Sequence, residues 1–119
     1  MKLLIVEDSE LVAQRLCATF AAIPTLAVAT AAGIGAATEI LRFWQPQLVI
    51  LDIQLPDGSG LALLRRIKLE RPATQVLMFS NHAHLRQRCK REGADAFFDK
   101  GMESDALAAA VRNLSGATA

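Results

Sequence analysis

The sequence predicts an α/β fold, a doubly wound sheet of five parallel strands with helices on both faces. Three observations carry this expectation. Short apolar runs alternate with segments of helical spacing, the alternation repeats five times, and the runs are nearly continuous in apolar residues, the pattern of strands covered on both faces. With 119 residues, 52% hydrophobic and 21% charged, the chain suits one domain, residues 1–119, and is too apolar for intrinsic disorder.

The first strand is Leu3 to Val6, followed by a helix marked by Val12, Leu16, Phe20 and Ile23. Leu26 to Ala29 reads as the second strand, and Ile34, Ala37, Leu41 and Trp44 space the second helix. Leu48 to Leu51 and Val76 to Phe79 are the third and fourth strands, with Ala96 to Phe98 a weaker fifth. The fourth helix, Ala83 to Glu92, offers only Leu85 and Cys89 as an apolar stripe, so it is expected to pack lightly and move easily. Leu107, Ala110, Val111 and Leu114 mark the last helix; Asp57–Gly58 reads as an ordinary turn and Ser115 to Ala119 as a frayed end. Right-handed crossovers between such strands leave few topologies, of which the flavodoxin-like order 2-1-3-4-5 fits this length.

Thirteen basic residues against twelve acidic ones leave a formal charge of +1, which argues against nucleic-acid or membrane-surface binding through bulk charge. The apolar run at the N-terminus meets Glu7 and Asp8 after Val6, too early for a signal peptide or a membrane span, so a cytoplasmic location is expected. Cys17 and Cys89 lie in helical stretches without metal-type spacing and read as reduced, packed thiols.

Ligands of open α/β sheets bind beyond the carboxyl ends of the strands. Those ends carry Glu7 and Asp8, Asp52, Ser80, and Asp99 with Lys100. Crowded carboxylates raise one another's pKa unless a cation neutralises them, and an all-oxygen donor set selects Mg²⁺ or a similar hard ion. Such an ion takes one or two carboxylates and leaves another free as a nucleophile, with Lys100 balancing a transferred phosphoryl group and Ser80 donating to it. Taken singly, Asp8, Ser9 and Ser80 are ordinary helix N-caps; their conjunction at different strand ends is what points to a site.

The motifs Ile5–Val6–Glu7–Asp8–Ser9, LVILDIQLPDGSG from Leu48 to Gly60, Ser80–Asn81 and GADAFFDK from Gly93 to Lys100 resemble the receiver domains of two-component response regulators, as does the spacing from Asp8 through Asp52 and Ser80 to Lys100. The likeness covers essentially the whole chain and is nearest to the stand-alone type, similar to the chemotaxis response regulator. It implies that Asp52 is the phosphoacceptor and that Asp8, Asp52 and the Gln54 carbonyl bind Mg²⁺ directly, with Glu7 acting through water. Ser80 and Lys100 would contact the phosphoryl oxygens, while Ser80 and Phe97 would form the switch that remodels the surface of the fourth helix, fifth strand and fifth helix.

The implied phosphodonor is a histidine kinase or a histidine phosphotransfer domain, docking on the first helix near Ser9, Leu11, Val12 and Arg15. With no DNA-binding or enzymatic domain expected, the output would be a downstream protein target or a phosphorelay, and a homodimer is open. Gly101 stands where the family often has proline, so the loop after Lys100 is expected to be looser; Asp99 is an added carboxylate. Gln54 and His82 occupy positions that tune phosphoryl lifetime in the family.

Rival readings are weaker. A haloacid-dehalogenase-type phosphatase needs an acid–base residue where Gln54 stands, and an FMN carrier needs a phosphate cradle where Glu7–Asp8–Ser9 stands. A receiver-like interaction module working without phosphorylation would be expected to lose the acceptor, the acid pair or the lysine, all of which are present. Arg86, Arg88, Lys90 and Arg91 read as a solvated basic helix face able to dock an acidic partner or RNA, and His82 with His84 lack a third metal ligand.

Overall fold

Each of the five apolar runs becomes a strand of one parallel sheet. A computed structural model describes residues 1–116; residues 117–119, most of the tail read as a frayed end, lie outside the described residues. The strands are β1 (Lys2–Val6), β2 (Ala27–Ala31), β3 (Leu48–Leu51), the two-residue β4 (Gln54–Leu55) and β5 (Gly58–Ser59), β6 (Gln75–Ser80) and β7 (Ala96–Asp99). The main sheet runs β2-β1-β3-β6-β7, the expected 2-1-3-4-5 order once the small antiparallel β4–β5 hairpin is set aside. Its helices are α1 (Glu10–Phe20), α2 (Ile34–Trp44), α3 (Gly60–Glu70), α4 (Arg86–Arg91) and α5 (Ser104–Leu114).

Successive strand residues face opposite sides of the sheet, and the core divides accordingly. Leu4, Val6, Val49, Leu51, Val76 and Met78 pack with Leu41 of α2, Leu64 of α3 and Cys89 of α4. Leu3, Ile5, Leu48, Ile50, Leu77 and Phe79 pack with Leu16 and Phe20 of α1 and with Leu107 and Val111 of α5. Burial of both sheet faces is why the strands read as unbroken apolar runs.

Boundaries differ from the sequence reading where hydropathy is not what sets them. β2 begins and ends later than Leu26 to Ala29, because pairing with β1 from Lys2↔Ala27 to Val6↔Ala31 defines this edge strand. α1 stops at Phe20, and Ile23 is buried from the turn beyond, its N–H donating to the Phe20 carbonyl. The expected fourth helix divides into a 3₁₀ turn over Ala83–Leu85 and a short α4, with no side-chain cap at either start. Asp57 is more than a turn residue: its carboxylate accepts from the N–H groups of Ile34 (2.7 Å) and Gly35 (2.9 Å), capping α2 across the loop where Gly33 has no side chain to do so. Ser115 ends α5 in an ordered way, its hydroxyl donating to the Arg112 carbonyl.

Candidate functional site

The carboxyl ends of β1, β3, β6 and β7 meet at a cleft of about 320 Å³ whose lining includes Glu7, Asp8, Asp52, Gln54, Asn81, His82 and Lys100. The sheet itself aligns the first members: Glu7 N–H continues the ladder to the Ala31 carbonyl (2.9 Å), and Asp52 N–H to the Val6 carbonyl (3.2 Å). Ser9 then caps α1, its hydroxyl accepting from Val12 N–H, while its own N–H donates to the Glu7 carboxylate at 2.9 Å. Asp8 stands exposed at the mouth. Behind Asp52 the chain returns through the β4–β5 hairpin to Gly60, where a Cβ would come within 1.9 Å of the Asp52 carbonyl oxygen; only glycine lets α3 begin there.

Asp52 is 7% exposed and Glu7 5%. One Asp52 carboxylate oxygen accepts from the Ile53 N–H at 2.7 Å, and the other from Lys100 Nζ at 2.8 Å. Lys100 Nζ also pairs with Glu7 at 2.5 Å, so a single ammonium bridges two buried carboxylates. Burial pushes the Glu7 carboxyl above the ordinary range, against the opposing pull of Lys100 and the Ser9 N–H. Burial would lower Lys100, but its hydrogen bonds to Asp52 and Glu7 outweigh that and leave it raised.

Glu7, Asp8 and Asp52 each offer a carboxylate oxygen, and these oxygens lie within 4.8 Å of one another. Three carboxylates facing one ammonium leave an excess of negative charge on oxygen donors, a set that fits a small hard dication. His82 and His84 rings meet edge to face at 5.8 Å and belong to no three-ligand group among the described residues.

Ser80 is placed differently from Lys100. It is fully buried and absent from the cleft lining, its hydroxyl accepting from the His82 N–H at 3.1 Å, while its carbonyl accepts from the Lys100 N–H. Asn81 lines the cleft instead. His82 Nε2 and Gln54 Oε1 lie 3.0 Å apart, joining two lining residues. Phe97 is 3% exposed and already packed inward among the residues of the Leu4–Val6 face.

Residues 3–112 match the family model described as the response regulator receiver domain. The chain belongs to this family. Among curated relatives the receiver domain is 36% identical over 67% of its length to protein-glutamate methylesterase/protein-glutamine glutaminase 3 of Vibrio cholerae. It is 34% identical over 90% of its length to protein-glutamate methylesterase/protein-glutamine glutaminase 2 of Oleidesulfovibrio alaskensis. It spans only 22% and 28% of those proteins. Among solved structures it is similar to the signal receiver domain of a LuxO repressor protein from Vibrio parahaemolyticus, with 27% identity and a TM-score of 0.87 over 97% of this chain and 89% of that one. Among the described residues no helix is long and apolar enough to cross a membrane.

The loop after Lys100, where Gly101 stands in the place of a proline, is tied by polar contacts: Glu103 N–H donates to the Asp99 carbonyl (2.8 Å), and the Glu103 carboxylate accepts from the Asp99 N–H (3.0 Å) and pairs with Arg86. Polar ties replace a stiff ring. Arg86, read from sequence as part of a solvated basic face, and Glu103, which carried no signal at all, are the residues that reasoning along the chain missed. The pair they form joins residues 17 apart on different elements, so no local spacing marks it.

Proposed function

We propose that this receiver domain accepts a phosphoryl group on Asp52 from a phosphohistidine donor, a histidine kinase or a histidine phosphotransfer domain, and signals by protein contact. The observation that carries this reading is the pairing of a buried Asp52 with Lys100 beside the Glu7 and Asp8 carboxylates. The Ile53 N–H and Lys100 hold Asp52 in one orientation for attack on phosphorus. An Asp52 oxygen–phosphorus bond forms as the donor's nitrogen–phosphorus bond breaks, and the electron pair goes to the departing imidazole.

Asp8 and Asp52, with the Gln54 carbonyl and Glu7 through water, would hold Mg²⁺, which supplies neutralisation of charge building on the transferred group. Lys100, already at the acceptor, would move its donors to the phosphoryl oxygens. Ser80 would turn its hydroxyl from the His82 N–H toward the same group; with buried Phe97 it forms the switch that alters the surface of α4, β7 and α5 for a target protein or a second copy. The chain would turn over no substrate besides its own aspartyl phosphate.

Incubation with acetyl phosphate and Mg²⁺ is expected to give a phosphoryl mass increment, absent in Asp52→Ala and lost when EDTA removes the metal. An unchanged mass in the unsubstituted protein would overturn the reading and leave a docking module that works without phosphorylation.

A further inference from the structure

Arg86, the first residue of α4, reaches three parts of the molecule with one side chain. Its Nη1 donates to the Phe97 carbonyl on β7 at 3.0 Å, and its guanidinium carbon lies 4.9 Å from the centroid of the Phe97 ring. Its Nη2 pairs with Glu103, the residue that folds the loop after Lys100 back onto Asp99. A planar guanidinium with several fixed donors can bond a carbonyl and a carboxylate while its face stacks on an aromatic ring, which a lysine ammonium cannot do at once. Apart from this, α4 contributes a single buried residue, Cys89. A polar tie between α4 and β7 therefore passes through the residue that also braces the Lys100 loop.

We propose that Arg86 is a positioning residue: through Glu103 it fixes the loop that presents Lys100 to Asp52, and through Phe97 it makes α4 follow β7, so that occupancy of the acidic cleft reaches α4. This rests on the phosphoacceptor reading. Lys100 is bonded to β6 through its backbone and to Asp52 through its ammonium, so a displacement at Asp52 is felt in the Asp99–Glu103 loop, and Arg86 is the contact that carries it to the helix.

The test is backbone-amide NMR of the full chain titrated with beryllium fluoride and Mg²⁺ as a phosphoryl mimic. In the unsubstituted protein, the amides of Asn81 and Lys100 at the cleft and of Gln87 to Lys90 on α4 are expected to shift together. In Arg86→Ala the cleft amides still shift, at a concentration of mimic about fivefold higher, and the α4 shifts fall to less than roughly half. Arg86→Lys keeps the pairing with Glu103, so mimic affinity returns to within about twofold while the α4 response stays weakened. Loss of fold alone would not separate the two groups of amides in this way.

Undiminished α4 shifts in Arg86→Ala would overturn the proposal. If that variant does not fold, Glu103→Gln decides, since it keeps an oxygen for the Asp99 N–H and removes the charge facing Arg86; an α4 response and mimic affinity equal to those of the unsubstituted protein would overturn it equally. No shift at Asn81 and Lys100 in the unsubstituted protein would instead overturn the phosphoacceptor reading, and this inference with it.

Discussion

Two helices that pack on the same face of the sheet, α3 and α4, are held by opposite means. α3 has eleven residues and buries Gly60, Leu61, Leu63, Leu64 and Ile67, with Ser59 capping its start by accepting from the Leu61 N–H. α4 has six residues, buries Cys89 alone, and is held by polar contacts: Arg86 as described, and Glu92 in a two-bond pair with Arg65 of α3 at 2.8 and 3.1 Å. Apolar burial is indifferent to the charge state of the cleft, so α3 serves as a fixed frame behind Asp52. Hydrogen bonds and ion pairs can be exchanged for others at little net cost, so in the proposed switch α4 is the element expected to answer a change in charge.

The contrast breaks first under truncation. Leu64→Ala in α3 is expected to lower unfolding stability by about 3 kcal/mol, against on the order of 1 kcal/mol for Cys89→Ala in α4, both read from urea midpoints. Equal losses would mean that α4 is anchored as firmly as its neighbour. Native-state hydrogen exchange should sharpen the same point without mutation, with the amides of α4 exchanging through local openings well before those of α3.

Asp57→Ala should reduce stability and speed exchange at Ile34 and Gly35, whose N–H groups it caps, with Asp57→Asn milder because an oxygen acceptor remains. The two N–H groups, Gly35 first and then Ile34, hold its carboxyl below the ordinary value.

Acid should loosen α4 through Glu103, whose carboxyl is held below its ordinary 4.5, chiefly by Arg86 and next by the Asp99 N–H. A lowered folded pKa means a contribution fully present above the unfolded value and lost as pH falls through the folded one. Carboxyl NMR of Glu103 should therefore titrate below 4.5, and Arg86→Ala should bring it back toward that value. The smallest effect is expected for Arg65→Ala, an exposed pair whose loss should barely move the urea midpoint and should weaken further in salt.

Legibility from sequence followed the range of the interactions. Leu3 to Val6, Leu48 to Leu51 and Val76 to Phe79 read directly as strands because burial on both faces leaves an unbroken apolar run. β2, at the edge, read less well because half of its environment is solvent and its ends are set by pairing with β1. The site was legible to the extent that strand ends carry it: Glu7, Asp8, Asp52 and Lys100 each follow an apolar run, and they converge. Ser80 stands at the end of β6, but that its hydroxyl turns to the His82 N–H is a matter of rotamer.

By itself, then, the sequence determined the five strands of the main sheet, though not the β4–β5 hairpin, their order through the handedness of the crossovers, and which charges gather at the strand ends, because periodicity and chirality are local properties of the chain. Tertiary structure alone decided that Asp57 caps a distant helix, that Lys100 bridges Glu7 and Asp52, and that Arg86 and Glu103 take over the loop where Gly101 stands. Those bonds join residues far apart in sequence, and their energies depend on distances that exist only once the sheet has brought its ends together.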